Sequence, residues 1–156
     1  MRVHLCAVGR LRSGPERALI DDYRKRFDRT GRALGLGPVR EHEVEDKRGG
    51  GMEGEAALLM RACPAGAVRV VLDERGALMS SPDFAQRLAR WRDQGAQDLA
   101  LMIGGADGLA PDLRASADAA VSFGPMVWPH ALARVMLAEQ LYRAATILAA
   151  SPYHRV

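Results

Sequence analysis

The sequence predicts one α/β domain over residues 1–156, a mainly parallel sheet flanked by helices on both faces. Apolar runs of strand length alternate with helix-length segments, the pattern that builds successive βαβ units. Charged residues make up 26% of the chain and apolar ones 48%, a globular balance that argues against disorder. At 156 residues the chain suits one domain, which buries roughly 70% of the surface its unfolded form exposes.

Each element follows from its own residues. VHLCAV (3–8) is a buried first strand. SGPERALIDDYRKRF then opens a helix, with Ser13 placed to cap it, Pro15 in the first turn, and Leu19, Tyr23 and Phe27 at helical spacing. A second strand falls in the later part of LGLGPVREHEV (34–44), where Val39 and Val44 flank polar residues. MEGEAALLMRA (52–62) is the next helix and AVRVVLD (67–73) the third strand. SSPDFAQRLARWRDQG repeats the helix-start chemistry. Ser81 is the expected cap, Pro82 the first helical residue, Gly95 the stop, and Phe84, Leu88 and Trp91 share a core face. DLALMIGG (98–105) is a strand running into glycines, APDLRASAD (110–118) a short helix and AAVSFG (119–124) a fifth strand. A long helix, PHALARVMLAEQLYRAATILAA (129–150), precedes the terminal SPYHRV.

Several function classes drop out. No run of eighteen apolar residues is present, so no membrane span is expected. MRVHLCAVGR lacks a cleavage signal and starts a strand, which fits a cytoplasmic protein. Cys6 and Cys63 lack paired spacing and suit buried free thiols; no Cys/His cluster or HExxH points to a metal. There is no GxGxxG, GxxxxGK[ST] or GxSxG, so neither a phosphate cradle nor an acyl-transfer nucleophile is expected. The net charge of +3 is uneven: 23–32 holds five basic residues and 46–51 two more, a solvated face or a phosphate footprint.

Ligands of an open parallel sheet bind beyond the strands' carboxyl ends. Three such ends stand out: VLDERG (71–76), IGGADGLAPD (103–112) and SFGPMVWPH (122–130). The glycines of the second permit a tight turn and close approach of a ligand to the backbone. The third is too apolar for an ordinary solvated turn. Backbone and apolar groups would then hold the ligand, which suits S-adenosylmethionine, an adenosine without phosphates.

LMIGGADGLAPDL, followed by MVWPHALARVMLAEQLYRAATILAASPYHRV, resembles the bacterial methyltransferases that act on N3 of a pseudouridine in 23S ribosomal RNA, minimal members of the SPOUT or α/β-knot superfamily. The similarity covers essentially the whole chain, including AVG of the first strand and the Leu-Asp at 72–73. The family usually shows Pro-Glu where this chain has Ala106-Asp107, an acid shortened by one methylene. The resemblance implies a C-terminal trefoil knot, a homodimer, S-adenosylmethionine as methyl donor and 23S rRNA within the large subunit or intact ribosome as substrate. It implies cofactor contacts at Leu72, Gly104, Phe123, Gly124, Pro125, Met126, Val127 and Trp128. These fall on the three strand ends already selected.

Methylating N3 requires removing an imide proton and aligning the nitrogen with the sulfonium methyl, so positioning supplies much of the rate. With the resemblance in hand, His154 is the expected base or orienting group, Arg155 the charge stabiliser, and Tyr153 a base-stacking ring. Packing at a dimer contact is the other reading of this tail. Arg143 is assigned to RNA or site duty, or to a simple ion pair with Glu139 four residues earlier. His130 suits capping or loop packing, and His4 and His42 structural or exposed positions. The competing functional classes are a non-catalytic RNA-binding or ribosome-assembly protein and a related enzyme acting on transfer RNA.

Overall fold

A computed structural model describes residues 1–155. Five parallel strands form one sheet in the order β2-β1-β4-β3-β5, made by Arg2–Val8 (β1), Val39–Val44 (β2), Val68–Leu78 (β3), Asp98–Ile103 (β4) and Ala119–Ser122 (β5). The helices are Pro15–Gly31 (α1), Gly51–Ala62 (α2), Ser81–Asp93 (α3), Pro111–Ala115 (α4) and His130–Leu148 (α5). The α/β reading and its element order therefore hold.

Alternation along the strands assigns the two faces. Val3, Leu5 and Ala7 point toward Phe27 of α1, Phe84 and Leu88 of α3, and Leu137 and Leu141 of α5. Cys6 and Val8 point the other way, toward Leu59 of α2 and Leu113 of α4. β1 and β4 are buried on both faces and accordingly read as continuous apolar runs. Helix α5 packs between α1 and α3, with buried residues over much of its circumference and Met136, Glu139, Gln140 and Arg143 on a half-buried face.

Two caps differ from expectation. Gly14, not Ser13, precedes α1 and gives no side-chain cap. Its φ of +107° is open to glycine, so the local backbone decides the start there. In α3 the cap is Ser80 rather than Ser81. Ser80 Oγ accepts from Asp83 N–H at 3.2 Å, while the Asp83 carboxylate accepts from Ser80 N–H at 3.3 Å. This capping box needs an acid three residues on, which Ser80 has and Ser81 lacks. Ser81 instead donates to Gln140 Oε1 at 2.7 Å, joining α3 to α5.

The third strand is longer than AVRVVLD. It leaves its register with β5 after Leu72 and regains it at Ala77, so residues 73–76 bulge from the sheet. Gly76 makes the return possible, since a Cβ there would lie 2.7 Å from backbone atoms of Ala120 and Val121.

Candidate functional site

The bulge, the glycine turn after β4 and the loop after β5 enclose one cavity. Ser122 Oγ donates to Glu74 O at 3.1 Å and accepts from Gly124 N–H at 3.1 Å, tying the bulge to the loop. Gly124 takes φ +103°, a conformation that favours glycine and redirects the chain toward α5. After β4, Gly105 and Gly108 pair across a tight turn. A Cβ on Gly104 would lie 2.6 Å from Gly108 O, and one on Gly105 would lie 2.9 Å from the Glu55 carboxylate. Gly104 is thus required by the turn's closure on itself, not only by approach of a ligand.

The cavity has a volume of about 420 Å³, within the usual size of small-molecule sites. Of the eight expected cofactor residues, Leu72, Gly104, Phe123, Gly124, Met126, Val127 and Trp128 line it; Pro125 lies in the same loop but is not a lining residue. Met126 and Val127 are 71% and 87% exposed, so the loop overhangs the mouth as an uncovered apolar lip. The lining also includes Asp73, Glu74, Asp107, Arg75 and Arg114. Arg114 Nη1 lies 3.7 Å from Asp73 Oδ2, and its buried Nε has no partner among the described residues. His130 lines the cavity as well. It does not cap α5, whose N-cap is Pro129 without a side-chain bond.

The terminal residues gather elsewhere. Arg143 holds Glu139 Oε1 through Nη2 at 2.6 Å and Nε at 3.0 Å, so the intrahelical ion pair forms. The Tyr153 hydroxyl donates to the same oxygen at 3.0 Å, and the Arg143 guanidinium lies over the Tyr153 ring at 4.9 Å. Arg143 Nη1 and His154 Nδ1 are 3.5 Å apart, and Tyr153 packs against Tyr142 with ring centroids 4.6 Å apart. Arg155 is exposed. Burial, then the Glu139 carboxylate, pushes the Tyr153 phenol well above its ordinary range, so it stays protonated and donates. The hydrogen bond to Glu139 raises Arg143 further, keeping it charged.

This cluster borders a different cavity, of about 340 Å³, lined among others by Tyr23, Met79, Phe84, Val135 and Glu139. Phe123 is the wall the two cavities share. Along α5, Ala133 lines the first cavity and Arg143 lies ten residues further on, roughly 15 Å at helical rise. One chain therefore brings the expected cofactor residues together but not Tyr153, His154 and Arg155 with them.

The family model described as "Predicted SPOUT methyltransferase" matches residues 1–154. The chain belongs to the SPOUT methyltransferase family. It is 73% identical over 156 residues to "Ribosomal RNA large subunit methyltransferase H" of Ruegeria pomeroyi, covering 100% of both chains. It is 70% identical over the same span to the protein of that name from Cereibacter sphaeroides, again covering 100% of both. Among solved structures, a probable methylase family protein from Haemophilus influenzae aligns with a TM-score of 0.51 at 11% identity, over 99% of this chain and 70% of that one. A putative methylase family protein from Neisseria gonorrhoeae gives 0.50 at 12%, over 99% of this chain and 86% of that one. These last two speak for the fold alone.

In this SPOUT methyltransferase, sequence reasoning missed Arg134. It is fully buried at the start of α5. Its Nη1 donates to Glu41 at 3.1 Å and Glu43 at 2.7 Å, and its Nη2 to the carbonyls of Val8 at 3.2 Å and Gly9 at 2.9 Å. Arg17 and Arg24 complete the cluster on Glu41, at 2.6 Å and 3.1 Å. Burial alone would raise Glu43. The Leu11 N–H and Arg134 outweigh it and hold the carboxyl below its ordinary range. The signal was present in the sequence: an arginine amid the apolar residues of a core helix, and two glutamates at alternate positions of β2.

Two exclusions can be stated for the described residues. No group of three or more His, Cys, Asp and Glu is placed to hold a metal, and no helix is long and apolar enough to cross a membrane. Cys6 and Cys63 are free thiols, and burial pushes Cys6 up to about 12, so it is no nucleophile.

Proposed function

We propose that the chain transfers a methyl group from S-adenosylmethionine to N3 of a pseudouridine in 23S ribosomal RNA, on the large subunit or intact ribosome, as a cytoplasmic single-domain homodimer. The observation that carries this reading is the cavity beyond β3, β4 and β5, whose lining combines apolar side chains with carboxylates and with the guanidinium groups of Arg75 and Arg114. Such a lining fits a ligand that is an adenosine at one end and cationic at the other. The names of the full-length relatives support large-subunit rRNA as the substrate.

The residues divide the work. Leu72, Phe123, Met126, Val127 and Trp128 supply apolar contact for the adenosine, while Asp73, Glu74 and Asp107 favour a cation. When bound, S-adenosylmethionine supplies a methyl group on a sulfonium, which becomes a neutral thioether as the methyl leaves. His154 accepts the imide proton from N3. Arg155 and Arg143 stabilise the negative charge on the ring before the N–CH₃ bond forms. Tyr153 stacks on the target base. Since Tyr153, His154 and Arg155 do not line their own chain's cavity, a second copy would present its tail there.

The test combines calorimetry with mass mapping of ribosomal RNA from cells with and without the gene. We expect S-adenosylmethionine to bind the purified protein, and one methylated pseudouridine to vanish from 23S rRNA in the deletion strain. An unchanged RNA mass map would defeat the substrate assignment. Absence of cofactor binding alongside RNA binding would favour the non-catalytic reading.

A further inference from the structure

All strands of a parallel sheet end on one side, so the loops after β1 and β2 share the side on which the cavity lies. Arg10 and Arg12 are exposed in the first of these loops, Lys47 and Arg48 in the second. Two contacts fix both loops at the cavity's rim. A side chain on Gly9 would lie 3.6 Å from Nε2 of the cavity-lining His130, and Met52, four residues after Arg48, itself lines the cavity. The loops also touch each other, with Arg10 Nε 3.8 Å from Glu45 Oε2 and Leu11 N–H donating to Glu43 at 2.6 Å.

The acids nearby do not cancel these cations. Glu43 is taken by Arg134 and Leu11. Asp46 accepts from the backbone N–H groups of Arg48 and Gly50, at 3.0 Å and 2.5 Å, so its charge folds the loop. Glu45 meets Arg10 only at 3.8 Å.

The other basic run has a different fate. Arg24 is bound to Glu41, and Arg26 to Asp22 at 2.8 Å. Helix α1 carries the run away from the cavity, toward Gly35, whose carbonyl accepts from the Met1 ammonium at the sheet's amino end.

Resting on the ribosomal RNA reading above, we propose that Arg10, Arg12, Lys47 and Arg48 form the rim that seats the RNA phosphate backbone beside the cavity, and that the basic run on α1 takes no part. The rim carries four cations and no aromatic ring, which suits the charge of the phosphate backbone better than the stacking of bases.

Filter binding to purified large ribosomal subunits across a salt series tests this, using Arg10→Glu/Arg12→Glu, Lys47→Glu/Arg48→Glu and, as a control of equal charge change, Lys25→Glu/Arg29→Glu. Alanine pairs at the same positions, with thermal melts, guard against misfolding by reversal. Each rim pair should weaken binding at least ~10-fold and flatten the dependence of log K on log salt by about 1–2, near 0.7–0.9 per lost phosphate contact. The control should stay within about twofold, and S-adenosylmethionine affinity by calorimetry should not move in any variant. Unchanged binding by both rim pairs, or an equal loss in the control, overturns the rim. Methyl incorporation is scored separately. Normal transfer with unaffected rim variants sinks the rim and spares the function. Binding without transfer by the wild-type protein sinks the function, while the rim is still decided by its variants. No binding by the wild-type protein sinks both.

Discussion

The two ends of the sheet are built on opposite principles. At the amino end, side chains satisfy one another. Arg2 donates to both oxygens of Asp98 at 2.7 Å and 2.6 Å, His4 Nε2 lies 2.7 Å from Asp98 Oδ1, and His4 Nδ1 lies 3.0 Å from His42 Nε2. At the carboxyl end of β3, β4 and β5 the chain turns through glycines around open space, leaving Asp73, Glu74, Asp107 and Arg114 around a cavity. Closed polar networks stabilise; around the cavity Asp73 accepts from the Arg75 N–H at 2.9 Å but meets Arg114 only at 3.7 Å, and such loosely paired groups keep bonding capacity for a ligand. The contrast also divides the carboxyl end itself, because Arg134 closes its β1–β2 half while the other half stays open.

The largest expected effect breaks function without breaking structure. Deleting residues 153–156 removes the proposed base and charge stabiliser but no lining residue of the cavity. Methyl transfer should fall by ~10³-fold or more, with cofactor affinity unchanged within about twofold by calorimetry. A matching loss of cofactor binding would mean that the tail shapes the cavity instead. Next in size, Arg134→Ala should cost about 3–5 kcal/mol in urea unfolding, because it strands Glu43 and two strand-end carbonyls. Arg134→Lys should recover only part of this, since one ammonium cannot span two carboxylates and two carbonyls. A loss below about 1 kcal/mol would show that packing, not this fork, closes the β1–β2 half.

Local patterns made the elements legible, and distance in sequence hid the rest. β2 appears at Val39–Val44 because two valines bracket polar residues at strand spacing, and α3 because proline, acid and apolar spacing agree. The cofactor-contact positions follow from the family resemblance and coincide with strand ends that physical grounds single out, and seven of the eight line one cavity. What could not be read were pairings between distant residues. Arg134 meets Glu43 across 91 positions and Asp98 meets Arg2 across 96, and no periodicity announces such partners. The bulge at 73–76 was hidden for a related reason. The pairing of Ala77 with Val121 and the approach of Gly76 to Ala120 show that β3 resumes beyond its apparent end. Gly104 has a second reason that its strand-end position does not announce, because the Gly108 carbonyl that excludes a side chain there lies across the turn.

The smallest effect belongs to the amino end and should move stability alone. Burial, and then the neighbouring His4, Arg40 and Arg24, hold the His42 imidazole below its ordinary range. An unfolded histidine titrates near 6.5, so between that pH and the lower folded value the unfolded chain binds more protons. Stability from this group is complete above about 6.5 and is lost as pH falls through that window. Asp98, held low chiefly by its hydrogen bonds to Arg2 and opposed by burial, has the same sign in a separate window. Its contribution is present above about 3.9, the unfolded carboxyl value, and declines only below it. The slope between pH 6.5 and 5 therefore isolates His42 from Asp98. His42→Gln keeps a side chain able to bond His4 but cannot be protonated, and should flatten urea midpoints measured across that range. One group changes the slope by less than about 1.4 kcal/mol per pH unit, and solvent at this half-exposed ring keeps it well under that. An equally steep variant would remove His42 as the cause, and lost methyl transfer at pH 7.5 would show that the sheet's two ends are not separable.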